Sequence, residues 1–386
     1  MAAAATAAIW FTTGWLLHTT AQAMNRDPQA TGADRARVRV EAVRTGLAAG
    51  AGAAAAVGLM LAFRRQAHQE HDASERRLAE LYNAAAEQLD SDKAPVRLTA
   101  LYTLERLAND NPWHRQTIVN IICAYLRMPL PDEAAAQAAP HGPDPREEHQ
   151  VRLTAQRLLT THLRPAGQAI YWGRRAPIAL DLTDAALVDL NLFGCTLGDA
   201  HFLGATFTGQ AYFGEATFTS DALFRGATFT SDAYFDEATF TGQAYFGEAT
   251  FTGNARFSGA TFTGNARFNG ATFTRDAHFR GTTFTGNARF GGVPFTGYAH
   301  FSGATFTSYA HFNGATFTSD ALFGEASFTS NVHFGGSTFT ARVYMQGAGV
   351  ADVSLPHVFP AGWRVEPTEG TAGQLIEDPA PATANA

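Results

Sequence analysis

The sequence has little of the chemistry that marks enzymes and metal-binding proteins. Only two of its 386 residues are cysteines; Cys123 and Cys195 lie far apart and form no CxxC pair. Lys and Arg number 28 against 35 Asp and Glu, and the net charge of −7 offers no basic excess for phosphates. No GxxxxGK[ST], HExxH or GxSxG motif occurs. We therefore expect no enzyme, no cofactor, no catalytic or metal site and no nucleic-acid partner.

Phenylalanine is the residue in excess, and its placement is periodic. Of 30 Phe residues, 26 lie between Phe202 and Phe339. They alternate spacings of six and five residues, and a series at spacing five, beginning at Leu182, precedes them. Two positions before each of these 26 Phe residues stands a small residue, which is Ala in 22 cases. The repeat therefore has a period of eleven residues with two recurring inward positions.

These positions predict a solenoid. Neighbouring residues of an extended chain point to opposite faces, so Phe and the residue two before it face inward while Thr and polar residues face outward. A unit this short cannot bury its apolar face alone, so successive turns stack and continue one core, with atypical ends as caps.

The pattern of a central Leu or Phe preceded by Ala resembles that of the pentapeptide-repeat family. The resemblance implies a right-handed quadrilateral β-helix, in which two eleven-residue units form one coil of 22 residues. The expected fold class is thus an α + β solenoid with N-terminal transmembrane helices, a small α-helical domain and the β-helix. With strands about 4.8 Å apart, nearly eight coils give a length of roughly 37 Å.

Two apolar stretches near the N-terminus predict a membrane anchor within residues 1–65. The run from Gly46 to Phe63 is uncharged and, as a helix, spans roughly 27 Å. Small residues recur on one of its faces and predict close packing against a second transmembrane helix, Ala2 to Leu17. A homodimer through these helices is compatible with the pattern. The alternative for Ala2 to Leu17 is a signal peptide, although that segment lacks a basic start.

Arginines on both sides of the run from Gly46 to Phe63 leave the membrane orientation open. The segments Glu87–Leu89, Val96–Leu98 and Tyr102–Leu107 resemble the helical region of membrane-anchored pentapeptide-repeat proteins of actinobacteria. That resemblance implies a cell-membrane location with the helical domain and β-helix on the cytoplasmic side.

The remaining boundaries follow from periodicity and composition. Apolar residues at helical spacing predict a helical domain at 66–165, interrupted by a Pro-rich loop at 129–146. The β-helix is expected at 180–346. Residues 351–386 are expected to cap the last coil and to end in a disordered tail.

The outward positions between the Thr-rich units vary, and only they have the variety to specify a partner. A 22-residue coil predicts that they stack into two columns on opposite sides. The first column is Tyr212, Tyr234, Arg256, His278, His300, Leu322 and Tyr344. The second column is Leu223, Tyr245, Arg267, Arg289, His311 and His333. Stacked aromatic and Arg side chains are candidates for a partner surface.

The function predicted is a membrane-anchored, non-catalytic binding or scaffold module for a macromolecular partner, which we expect to be a protein. Three alternatives stay open at this point. The first is a purely structural spacer, and the second an ice-binding-like Thr ladder. The third is a DNA mimic that binds gyrase, but residues 181–345 carry 13 acidic residues against 7 Arg. Duplex DNA of equal length carries about 20 charges.

Overall fold

The computed structural model describes residues 2–25, 31–129, 144–166 and 170–378. The chain divides into two compact units, Met1–Asn83 and Ala84–Ala386. Helix α1 is Ala2–Asn25 and helix α2 is Gly32–Leu89. The second unit contains α3 (Ala94–Asp110), α4 (Arg115–Arg127) and α5 (Pro145–Leu163), followed by the strands.

In the first unit, both helices predicted within residues 1–65 are present as α1 and α2, and they pack closely against each other. A Cβ added at Gly46 of α2 would lie 2.8 Å from Thr13 Cγ2 of α1, so glycine permits the close approach. Across the described ranges, however, no helix combines the length and apolarity that a bilayer crossing needs. The predicted transmembrane hairpin at 1–65 is therefore wrong. The cell-membrane location inferred from it is wrong with it, and neither a membrane partner nor a homodimer through transmembrane helices is supported.

The run from Gly46 to Phe63 lacks charge but is only weakly apolar. Twelve of the 18 residues from Gly46 to Phe63 are Ala or Gly. Transfer out of water is favoured roughly in proportion to apolar area, and these small side chains contribute little of it. An uncharged run is therefore a weaker indicator than a run of Leu, Ile, Val and Phe.

A buried charge cluster joins α3, α4 and α5. Glu148 accepts a hydrogen bond from Arg152 Nε at 2.7 Å and lies 3.2 Å from Arg97 Nη2. The hydroxyl of Tyr125 donates to the same carboxylate at 2.9 Å. These side chains are almost fully buried, where a charge is tolerated only when it is paired and hydrogen-bonded. The predicted Pro-rich loop at 129–146 falls mainly on residues 130–143, outside the described residues.

These helices close the first edge of the solenoid, which has no earlier coil to pair with. Gln116 of α4 donates to Ala179 O and accepts from Ala179 N, both at 2.9 Å. Gln156 of α5 does the same for Val188, at 2.7 and 3.1 Å. Each amide side chain thus replaces the backbone partner that an edge strand lacks.

The solenoid begins with strands Ile178–Asp181, Ala186–Val188 and Thr196–His201. From there each coil has four short parallel strands, and each pairs with the strand 22 residues later, as in Thr228 with Thr250. The coil is four-sided, and the predicted β-solenoid is confirmed.

Two opposite sides are threonine faces. The first threonine face contains Thr206–Thr208, Thr228–Phe229, Thr250–Phe251, Thr272–Phe273, Pro294–Phe295, Thr316–Phe317 and Thr338–Phe339. The second threonine face contains Thr217–Phe218, Thr239–Phe240, Thr261–Phe262, Thr283–Phe284, Thr305–Phe306, Ser327–Phe328 and Gly349–Val350.

The other two sides carry the columns of variable residues. The face of the first column contains Ala211–Tyr212, Ala233–Tyr234, Ala255–Arg256, Ala277–His278, Ala299–His300, Ala321–Leu322 and Val343–Tyr344. The face of the second column contains Ala222–Leu223, Ala244–Tyr245, Ala266–Arg267, Ala288–Arg289, Ala310–His311 and Val332–His333.

The core consists of phenylalanine stacks that run through successive coils. The rings of Phe207 and Phe229 are parallel with centroids 4.5 Å apart, and Phe251 continues the stack at 4.6 Å. Rings of neighbouring stacks meet edge to face, as do Phe224 and Phe235 at 5.5 Å. Such pairs add about 0.5–1.5 kcal/mol each beyond the area that they bury. The small residue two positions earlier leaves the space that the rings fill.

A short hairpin closes the far end. Strands Trp363–Pro367 and Gly373–Glu377 pair antiparallel, and the second also pairs with Gly349–Val350 of the last coil. Trp363 is buried there. Residues 379–386, where a disordered tail was predicted, lie outside the described residues.

Candidate functional site

The strand pairing places all ten candidate residues in two columns. Tyr212, Tyr234, Arg256, His278 and His300 are successive register partners, and Leu322 and Tyr344 continue the column. Leu223, Tyr245, Arg267, Arg289, His311 and His333 are register partners in the other. Whether either column contacts a partner stays a prediction.

Side chains of the first column stack along the solenoid. The rings of Tyr212 and Tyr234 are nearly parallel with centroids 4.9 Å apart. The guanidinium of Arg256 lies 5.5 Å from the centroid of Tyr234, within the range of a cation–π contact. Farther along, His278 and His300 stack at 4.7 Å. Stacking fixes these side chains before any partner arrives.

Carboxylates accompany the first column. Arg256 Nε lies 3.1 Å from Asp236 Oδ2, and the hydroxyl of Tyr234 donates to Asp232 Oδ2 at 3.3 Å. Asp276 follows in the same corner as Asp232, one coil beyond Asn254. The cation of this column is therefore compensated within the chain.

The second column is arranged differently. The Arg267 guanidinium lies 4.8 Å from the centroid of Tyr245, and Arg289 is its neighbour in the next coil. At the end of the column, His333 Nε2 is 2.7 Å from Pro356 O, and its ring meets Tyr309 edge to face at 5.1 Å. This column carries positive charge on adjacent strands.

Three histidines of the columns have a pKa below the usual value. Burial is the main cause for His278, to which nearby Arg256 adds against the opposing effect of Asp276. Burial also lowers the pKa of His300, and the neighbouring His278 lowers it further. Burial, Arg289 and His333 lower the pKa of His311. At neutral pH these three imidazoles are therefore uncharged.

A ladder of side-chain amides and carboxylates along the corners escaped the sequence analysis. Asp232 Oδ1 accepts from the backbone N–H of Asn254 at 2.8 Å, and Asp276 Oδ1 accepts from Tyr298 N at 2.9 Å. Asn265 and Asn287 form the equivalent bond in the other corner. The signal was the Asp or Asn that recurs two positions before many variable residues. These polar residues support the backbone rather than a partner.

The threonine faces are uniform, and part of their hydrogen-bonding capacity is used internally. The second Thr of a unit donates to a carbonyl of the previous coil, as Thr230 does to Phe207 O at 3.1 Å and Thr252 to Phe229 O at 2.9 Å. Those hydroxyl protons are not available to an ordered water lattice.

The two cysteines are buried thiols. Burial raises the pKa of both Cys123 and Cys195 to about 12, so neither is a thiolate at neutral pH. Within the part of the chain that the structure describes, no three His, Cys, Asp or Glu side chains are grouped to hold a metal ion.

The fold and the repeated corner geometry define a four-sided β-solenoid of repeated short units. Comparison with protein-family models identifies the units: the model described as pentapeptide repeats (9 copies) matches residues 192–239, 224–272, 268–314 and 301–349. The chain therefore carries pentapeptide repeats over this region. No curated protein and no solved structure gave a significant match. The family match does not reach the upstream helices, so their likeness to membrane-anchored actinobacterial proteins is not shown.

Proposed function

We propose that the chain is a non-catalytic interaction module whose protein partner docks on the two columns. The observation that carries the proposal is the contrast between sides of one repeating structure. Two sides repeat Thr almost without change, whereas the two columns replace it by Tyr, Arg and His while keeping these side chains stacked. Tyr and Arg are among the residue types that dominate the energetics of protein interfaces.

The stacking favours binding for an energetic reason. A flexible side chain loses about 0.5–1.5 kcal/mol of conformational freedom when an interface immobilises it. The rings of Tyr212 and Tyr234, and the Arg267 guanidinium beside Tyr245, are held before contact. A partner therefore meets a surface that is already ordered.

The alternatives are less well supported. A DNA mimic needs acidic charge along the whole solenoid, yet the cations Arg267 and Arg289 occupy adjacent strands of one side. An ice-binding face needs free hydroxyl groups, and hydroxyls such as that of Thr252 donate to the backbone. A structural spacer needs no variable columns and remains the competitor that experiment must exclude.

The test compares two multiple variants of the full chain by in-cell crosslinking and affinity capture. In the first, Tyr234, Tyr245, Arg256, Arg267 and Arg289 are changed to Thr. In the control, Thr228, Thr239, Thr250, Thr261 and Thr283 of the threonine faces are changed to Gln. We expect the captured partner to be lost only from the first variant. Identical captures from both variants, or no capture by the native chain, would favour the spacer.

A further inference from the structure

The two columns differ in electrostatic environment. In the four coils that present Arg267, Arg289, His311 and His333, the same side and its two corners comprise residues 263–270, 285–292, 307–314 and 329–336. None of these stretches contains Asp or Glu. The face of the first column has Asp232, Asp236, Glu237, Asp276 and Asp320 in its corners instead. A chain of net negative charge therefore keeps one strip of one side free of carboxylates.

The cations of this strip have no anionic partner among the described residues. Arg256 of the first column has Asp236, but neither Arg267 nor Arg289 forms an ion pair within the described ranges. They are register partners on adjacent strands, where like charges repel. An external anion would relieve this repulsion as well as add its own attraction.

Buried polar atoms in the strip are also unsatisfied. Arg267 Nε, His311 Nδ1 and Asn313 Oδ1 are buried and have no hydrogen-bond partner in the described structure. A buried donor or acceptor without a partner costs about 1–3 kcal/mol. Two of the three atoms, Arg267 Nε and His311 Nδ1, belong to the second column. The hydrogen-bonding groups of that column are therefore not all satisfied within the chain.

The corner beside these side chains is closely packed. Between Asn269 and Asn313 the equivalent residue is Gly291, which has no side chain. A Cβ there would lie 3.1 Å from His311 Nδ1 and 3.3 Å from Asn269 Nδ2. Gly291 is itself buried, so a partner meets the exposed side chains of Arg289 and Asn269 here rather than the backbone.

We infer that the strip from Arg267 to His333 binds an acidic segment of a protein partner, whose carboxylates pair with Arg267 and Arg289. The inference rests on the proposed function and names the chemistry of its partner. Three strand intervals of about 4.8 Å give the strip a length near 14 Å, which an extended segment of about four residues covers. Two permanent cations in a chain of charge −7 are too few for phosphate-driven nucleic-acid binding.

The experiment measures binding of a fluorescent octaglutamate peptide to the full chain by anisotropy at low salt. The test variant is Arg267→Gln with Arg289→Gln. The matched control is Arg275→Gln with Arg280→Gln, which removes the same charge from exposed corner positions beside the first column. We expect the test variant to bind about tenfold or more weakly and the control to stay within about twofold of the native chain. Unfolding midpoints of all three proteins show whether the fold is retained.

Several outcomes would overturn the inference. Equal weakening in both variants would indicate only a response to net charge, and absence of peptide binding to the native chain would remove the strip as an acidic-peptide site. Stronger binding of an oligodeoxythymidine of matched charge, dependent on Arg267 and Arg289, would assign the strip to nucleic acid. If a captured partner depends on Tyr234 and Arg256 but not on these two arginines, the proposed function stands and this inference fails.

Discussion

At the residue scale, Glu237 has a left-handed backbone conformation that the next coil gives to a glycine. Its φ is 59°, and that of Gly259 in the same corner is 69°. A side chain in this region costs on the order of 1 kcal/mol, because Cβ crowds the following carbonyl oxygen. We expect Glu237→Gly to raise the free energy of unfolding by about 0.5–1 kcal/mol, measured by urea denaturation.

The reciprocal change provides the control. Gly281 has φ of 63° in the same corner with no atom within 4 Å of an added Cβ, so Gly281→Glu should destabilise through backbone strain alone. Equal stability of both variants and the native chain would show that the corner tolerates either residue.

Single residues also determine how the stability of the fold depends on pH. Because His278, His300 and His311 have a pKa below 6.5 in the folded chain, the unfolded chain binds more protons when the pH falls below that value. Their contribution to stability is therefore complete above about pH 6.5 and is lost as the pH falls toward the folded pKa values. We expect urea midpoints to decrease between pH 8 and 5.5. Changing all three residues to Gln should flatten this dependence, and a variant as sensitive as the native chain would contradict the assignment.

At the scale of elements, the junction between α5 and the first coil is the part most exposed to a single change. Gln156 is 5% exposed and satisfies both backbone groups of Val188. Removing the amide in Gln156→Ala leaves the part-buried N–H and C=O of Val188 without their partners, which costs about 1–3 kcal/mol. Gln150 on the same helix is exposed, and Gln150→Ala should change the free energy of unfolding by less than about 0.5 kcal/mol. Similar losses in both variants would mean that Gln156 does not cap the solenoid.

The success of sequence reasoning varied among the elements. The 22-residue register was predictable from the eleven-residue spacing of Phe and Ala together with the four-sided coil that the family resemblance implies, and Phe251 does pair with Phe273. The capping role of Gln116 and Gln156 was not predictable from the sequence, since a lone Gln on a helix carries no local signal of a distant strand edge. The membrane anchor failed because absence of charge from Gly46 to Phe63 does not measure apolar area.

The candidate site, too, was only partly predictable from the sequence. Repeat spacing, with the 22-residue coil that the resemblance implies, placed Tyr234 beside Arg256 and Arg267 beside Arg289. It did not reveal that Asp236 compensates Arg256 while Arg267 stays unpaired among the described residues. That difference depends on which corner each carboxylate occupies, and the corners become distinguishable only once the chain is wound into four sides.

At the scale of the whole molecule, the repeat region is a support whose four sides alternate between threonine faces and faces with variable residues. Each coil contacts its neighbours through the same parallel strands and Phe stacks, so a change on one outward side leaves the others in place. One coil therefore presents one residue to each side: Thr250, Arg256, Thr261 and Arg267. This separation allows binding to be mapped side by side.

The most direct measurement introduces a photocrosslinking amino acid at each of these four positions in turn and records adducts in cells. The account predicts a partner adduct from position 256 or 267 and none from 250 or 261. Adducts of equal yield from all four positions, or adducts confined to the threonine faces, would contradict the claim that the two columns are the binding surface.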